Sequence, residues 1–332
     1  MTESPLGELA VDPAFDSRLA SAMEDVERYL RGTVVSDYPF VTETSRHLVD
    51  AGGKRFRPLL TLLASHFGPR PANDDVIKSA VVVELTHLAT LYHDDVMDEA
   101  QLRRGAPSAN ARWDNSIAIL TGDFLFARAS DILADLGPEA VRIQAQTFER
   151  LCTGQIREAV GPDDGIDPVK HHLQVLSDKT GSLIATAGRF GAMMAGAETS
   201  TIDTLSRFGE AIGVAFQLAD DIVDITSDAE QSGKLPGTDL REGVPTLATL
   251  IAQSSDQSGG DELVAFLSGP IPDDADHAQA LRLLRAHPAL EDARDEARRW
   301  AGDARRILEP LPVGDAKVAL EALCDYVVNR TG

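Results

Sequence analysis

The sequence predicts an all-α fold in a single domain over 1–332, with a flexible stretch at 1–16. Three observations carry this expectation. Apolar residues recur at three- and four-residue spacing, alternating Val/Ile/Thr runs are absent, and Gly- and Pro-containing breakers cut the periodic runs into helix-sized pieces. In chain order the runs are Leu19–Leu30, Val76–Val96, Ile117–Leu136, Val141–Ile156, Leu173–Met194, Ile202–Ile225, Thr246–Ile251, Ala278–Leu284 and Val318–Val327. Gly52-Gly53 with Pro58 and Gly68 to Pro71 separate the first two runs, and Gly105 to Pro107 closes the second. Gly137-Pro138, Gly161 to Pro168, Gly233 to Pro236, Ser254 to Gly260 and Gly269 to Asp274 divide the rest. Together they imply roughly ten or more helices. The C-terminal third reads as more looped and carries no chemical motif.

Composition narrows the function. The 332 residues include 53 acidic against 31 basic side chains, a net charge of -22. Such acidity argues against nucleic acid, whose phosphates attract basic surfaces. It leaves room for a small phosphorylated substrate held by metal ions and a few local cations. Cys152 and Cys324 are too few for a disulfide framework and read as reduced, buried thiols of a cytoplasmic protein. The N-terminus lacks a signal pattern, and no apolar run is long enough for a transmembrane segment. Leu183 to Ala197, rich in Gly and Ala and broken by Arg189, reads as a helix packed closely inside the fold.

The chemistry lies in two aspartate clusters, Asp94-Asp95-Val96-Met97-Asp98 and Asp220-Asp221-Ile222-Val223-Asp224. Both are embedded in apolar, helix-like surroundings, where an ionised carboxylate is costly unless compensated. On a helix the first and last Asp are i and i+4 and share one face. Two such faces suit hard divalent cations, with Mg²⁺ on phosphate oxygens the natural occupant. His87 lies seven residues before Asp94, two turns along the same face, and Arg103-Arg104-Gly105 follows. Arginine makes bidentate bonds to phosphate. Gln217 precedes Asp220 by three and Asp221 by four, and so shares the second face. Basic elements recur at Gly52-Gly53-Lys54-Arg55-Phe56-Arg57-Pro58, at Lys179-Thr180-Gly181 and at Gly233-Lys234.

In this order the elements resemble the trans-isoprenyl diphosphate synthase, or polyprenyl synthetase, family. The match runs from about Arg46 to Thr246: G-G-K-R-x-R-P, H-D-D-x-x-D-x-x-x-x-R-R-G, K-T, F-Q-x-x-D-D-x-x-D and G-K. The resemblance implies an isoprenoid-synthase helical bundle with a deep cleft, usually a homodimer. It implies head-to-tail condensation of isopentenyl diphosphate with an allylic diphosphate, and three Mg²⁺ per site. Asp94, Asp95 and Asp98 would hold two of them. Asp220, with Asp221 and Asp224 behind it, would hold the third. Lys54, Arg55, His87 and Arg104 would grip isopentenyl diphosphate. Arg103, Lys179 and Lys234 would bind the allylic diphosphate, with Thr180 and Gln217 at the reacting centre. Where the family commonly has G-K-x-T, this chain has Gly243-Val244-Pro245-Thr246, so Val244 supplies no charge.

Product length is read from the residues just before the first motif. Short-chain members tend to place an aromatic there; Ala89 and Thr90 leave space below a growing chain. Hexaprenyl to nonaprenyl products are expected, with geranylgeranyl as the alternative, and Leu85, Leu88 and Ile117–Phe126 as deeper floor candidates. Two rival readings are a class I terpene cyclase and a non-catalytic subunit of a heteromeric synthase. The cyclase usually carries a different second metal motif and does not need a second diphosphate site. The subunit typically loses its Asp motifs.

Overall fold

The computed structural model describes residues 12–227, 236–255 and 260–329. The described residues are helical almost throughout, as the periodicity predicts. Their contacts group into two compact units. The first comprises Met1–Phe148, Leu183–Ser206 and Pro310–Leu320; the second comprises Glu149–Ser182, Arg207–Glu309 and Glu321–Gly332.

In the first unit α1 (Pro13–Thr33), α2 (Pro39–Asp50) and α3 (Phe56–Ser65) precede the long α4 (Asp74–Met97). A hairpin of β1 (Leu102–Arg103) and β2 (Ala106–Pro107) follows, then α5 (Ala109–Arg112), α6 (Asn115–Leu136) and the start of α7 (Pro138–Val160). α4 is apolar on nearly every side, from Val76 and Ala80 through Val81, Val82 and Val83 to Leu88 and Tyr92, and is accordingly the central helix. It packs along α6 and against α3 and α1. Asn73 starts it by accepting the Asp75 and Val76 amides at 2.8 and 3.2 Å, and Asp74 and Asp75 suit the positive end of its dipole. α9 (Ser182–Met194) packs closely, as expected: a Cβ at Gly191 would collide with the Thr61 carbonyl.

The second unit contains α8 (Pro168–Leu176), a π-helical turn at Ser177–Gly181 and most of α10 (Thr199–Thr226). It continues with α11 (Thr238–Glu242), α12 (Leu247–Gln253), α13 (Gly260–Phe266), α14 (Asp274–Ala286) and α15 (Ala289–Ile307), and includes the end of α16 (Asp315–Asn329). Its core joins Val214, Leu218 and Ile225 of α10 to Leu247, Leu263, Leu284 and Leu290.

The differences from expectation have physical causes. Pro58 reads as a breaker, yet it sits in the first turn of a helix, where proline is tolerated. α15 lies in the stretch expected to be looped. It buries mainly alanine (Ala289, Ala293, Ala297, Ala301 and Ala304), which gives little apolar signal. The run Leu173–Met194 is interrupted by the π turn. α1 begins at Pro13, inside the stretch expected to be flexible, with the Asp12 carboxylate accepting the Ala14 amide at 2.8 Å; residues 1–11 lie outside the described ones. Neither cysteine forms a disulfide, as expected, but only Cys324 is buried; Cys152 is exposed. Among the described residues no helix is long and apolar enough to cross a membrane.

Candidate active site

In the first unit the D-D-x-x-D motif closes α4, and its three carboxylates differ. Asp98 is exposed and Asp94 half-buried, one turn apart. Asp95 is fully buried: its Oδ1 accepts a 2.6 Å bond from Arg103 Nε, while Oδ2 has no hydrogen-bond partner. Burial raises the Asp95 pKa, and Arg103 partly offsets it. The hairpin places Arg103. Arg104 and Gly105 form its turn with φ of 54° and 76°, the left-handed pair that matches strand twist. Arg104 turns away from Asp95 and donates to the carbonyls of Leu48, at 3.1 Å, and Gly52.

The cations near His87 also separate into two kinds. The sequence reading assigns Arg55 to a diphosphate. The structure instead directs its guanidinium to Glu27 at 2.5 Å, Glu84 at 2.8 Å and the Val49 carbonyl at 2.8 Å, with 7% exposure. Arg55 precedes α3 at a φ of 45°, and this left-handed residue sends its side chain inward. Arg57, which the sequence reading quotes but does not assign, keeps a buried Nε without a hydrogen-bond partner. Burial brings its pKa down to about 10; Glu84 opposes the shift and Arg104 adds to it. Burial, then Arg57, Arg104, Arg103 and Arg55, hold the half-buried His87 well below its ordinary value, so the ring is neutral at pH 7. Lys54 is exposed. Arg57 and Arg104 thus carry like charge beside a neutral imidazole, a set that suits an anion. Arg57 and Arg55 lie two residues apart in one basic run, and only the backbone turn at Arg55 distinguishes them.

Below Asp94, Ala89 is fully buried and Thr90 half-buried, its hydroxyl donating to the His87 carbonyl at 2.8 Å. The His93, Phe126 and Phe148 rings meet in sequence at a tilt, with centroids 5.8 and 4.5 Å apart.

The second unit holds the other motif at the end of α10. Asp220 is half-buried; Asp221 is buried and accepts a 3.0 Å bond from Gln217 Nε2. Thr180 donates to Gln217 Oε1 at 3.4 Å. His172 Nε2 lies 3.9 Å from the far Asp221 oxygen. Burial, then the nearby Asp239, pushes Asp221 up to about 7. Asp224 faces a helix start: its two oxygens accept the Thr238 and Asp239 amides, each at 3.2 Å, at the N-terminus of α11. Sequence reasoning did not assign Asp239, five residues past the basic element Gly233-Lys234. It also missed Glu158, which pairs with Lys179 at 2.5 Å. Val244 is 37% exposed and brings no charge. Lys234 lies outside the described residues.

The donors fit a hard divalent ion that keeps water and phosphate oxygens. Among the described residues no three Asp, Glu, His or Cys side chains converge on one point. Mg²⁺ is commonly held by one or two carboxylates together with substrate phosphates. Asp94 with Asp98, and Asp220, offer that sparse oxygen set.

Comparison with known proteins agrees with this chemistry. The polyprenyl synthetase family profile matches residues 38–284. A nonaprenyl diphosphate synthase of Mycobacterium tuberculosis is 49% identical over 323 residues, covering 97% of this chain and 96% of that protein. The crystal structure of a geranylgeranyl pyrophosphate synthase from Corynebacterium glutamicum, complexed with calcium and isoprenyl diphosphate, superposes with a TM-score of 0.88. It is 49% identical and covers 98% of this chain and 99% of that one. A polyprenyl synthase from Caulobacter crescentus, complexed with the same ligands, has a TM-score of 0.88 at 34% identity, covering 95% and 97%. With both aspartate motifs and the basic runs in family order along the matched span, the chain belongs to the polyprenyl synthetase family.

Proposed function

We propose that this enzyme condenses isopentenyl diphosphate with farnesyl or geranylgeranyl diphosphate to an all-trans polyprenyl diphosphate, hexaprenyl to nonaprenyl in length. The observation that carries this reading is a pair of arginines, Arg57 and Arg104, beside the neutral His87, with the nearby Glu84 carboxylate already bonded to Arg55. Arg57, His87 and Arg104 can take a diphosphate without metal, while the two aspartate motifs need an ion to take one. An enzyme with both kinds of site can join two diphosphates. We read the two units as one catalytic domain, since the family profile draws on both, and the active form as a homodimer.

Three Mg²⁺ bound at Asp94, Asp98 and Asp220 would neutralise the diphosphate leaving group and make it viable. Asp95 and Asp221 stand behind these ligands and fix their surroundings, Asp95 through Arg103 and Asp221 through Gln217. Lys179, and Lys234 by resemblance, add charge to the allylic diphosphate. Lys54, Arg57, His87 and Arg104 hold isopentenyl diphosphate, and the neutral His87 can donate one N–H. The allylic C–O bond breaks, the isopentenyl double bond attacks the cation, and the departing diphosphate accepts the proton. Thr180 and Gln217, tied to each other, line the centre and present no free base.

The test incubates purified protein with Mg²⁺, isopentenyl diphosphate and each allylic primer, then sizes the products. No condensation with any primer would defeat the proposal. Geranylgeranyl as the end product is the second reading, supported by the likeness to the Corynebacterium glutamicum structure. Ala89→Phe is expected to shorten the product by at least one isoprene unit, because the site is fully buried and an aromatic ring fills the space below Asp94. Unchanged length would remove Ala89 and Thr90 from the floor.

A further inference from the structure

The second unit contains a charge cluster around one buried carboxylate that the proposed chemistry does not use. Asp178, 5% exposed, sits in the π turn directly before Lys179 and Thr180. Arg150 Nε donates to its Oδ1 at 2.9 Å. Arg157 Nη1 and Gln174 Nε2 donate to Oδ2 at 2.6 and 3.0 Å. Arg150 reaches on to Glu210 of α10 at 2.7 Å and to the Ser177 hydroxyl at 3.1 Å, and Ser177 itself donates to Glu210 at 2.6 Å. One face of the turn is thereby pinned to α7 and α10. Lys179 and Thr180, next in the turn, meet Glu158 of α7 and Gln217 of α10.

The backbone is held as closely. A Cβ at Gly154 of α7 would lie 2.7 Å from the Lys179 nitrogen and 3.0 Å from Asp178 Cβ, so only glycine lets α7 approach the turn. A Cβ at Gly181 would stand 3.2 Å from the Glu210 carbonyl. A π turn shifts every later side chain around the helix axis, and such turns recur at functional sites. Without these pins an α-helical repeat through 177–181 would rotate Lys179 and Thr180 to a different face.

We infer that Asp178, clamped by Arg150 and Arg157 and seated against Gly154, is the positioning residue that sets the π turn and aims Lys179 and Thr180 at the allylic diphosphate. This rests on the proposed role of Lys179, which the test examines separately. Asp178→Asn keeps the shape and removes the charge. It is expected to raise KM for the allylic diphosphate and lower kcat by about 10- to 100-fold, the scale of a roughly 1 Å misplacement. KM for isopentenyl diphosphate should stay within about twofold, since that site is proposed in the other unit. Gly154→Ala, which displaces the turn without altering charge, should give the same split and serves if Asp178→Asn fails to fold. In a Lys179→Ala background Asp178→Asn should add little. Equal rises in both KM values, or independent multiplication of the two defects, would overturn the inference. A normal allylic KM in Lys179→Ala would instead sink the reading of Lys179. An impaired Lys179→Ala beside unaffected Asp178→Asn and Gly154→Ala enzymes would sink the positioning role alone.

Discussion

The charged sites in the two units are built in opposite ways. In the first unit the charges around His87 are mostly positive, and one arginine, Arg55, is already neutralised by Glu27 and Glu84. The remaining cations, Arg57 and Arg104, stand ready for an anion. In the second unit carboxylates crowd together, and burial, then Asp239, raises Asp221 to about 7. On the proposed function, the first site takes its anion directly, whereas the second takes an ion together with its substrate. The difference shows that the same letter in a motif can be scaffold in one place and ligand in another.

The largest effect should come from confusing the two kinds of arginine. Arg55→Met strands Glu84, 3% exposed at its side chain, and Glu27, and is expected to destabilise the protein by about 3–5 kcal/mol, seen as a lower midpoint in urea. A normal midpoint with a raised isopentenyl diphosphate KM would return Arg55 to the substrate. Arg57→Gln should do the reverse. Its loss removes a charge-assisted contact worth about 1.5–3 kcal/mol, so KM for isopentenyl diphosphate should rise roughly 10- to 100-fold while stability holds, because a like-charge neighbour of Arg104 disappears.

The contrast was only partly legible in the sequence. Helix periodicity exposes α4, α6, α7 and α10, and the Asp spacing exposes both motifs, because each is a local pattern. That Arg55 is tied to Glu27 and Glu84 while Arg57 keeps an unpartnered Nε goes with one left-handed backbone residue, and the Asp239 amide meets Asp224 only because the chain returns at α11. Neither fact leaves a local trace. Alanine-rich α15 was hidden for another reason: small side chains can fill a tight helix interface without looking apolar.

A pH series sharpens the second half of the comparison. Burial and Asp239 raise Asp221 to about 7, so below that pH it carries a proton and the field around Asp220 weakens. Mg²⁺-dependent binding of an allylic diphosphate analogue should therefore weaken as pH falls through 7, with up to about one proton released on binding, detectable by calorimetry in buffers of different ionisation heat. Asp221→Asn should flatten this dependence; an unchanged profile would place the titration elsewhere. The smallest effect is expected at Val244. Val244→Lys restores a charge at an exposed position and should lower the allylic KM by no more than about threefold, as exposed charges contribute little.

The bond from Arg103 to Asp95 and the capping of α11 by Asp224 have a consequence for how such motifs arise and fail. In each D-D-x-x-D one aspartate is already engaged locally, Asp95 by the Arg103 side chain and Asp224 by the Thr238 and Asp239 amides, while another is proposed to meet the ion. A mutation at an anchoring aspartate would leave the visible ligand intact and still loosen its grip. Loss of metal affinity therefore cannot, by itself, tell which aspartate touches the metal.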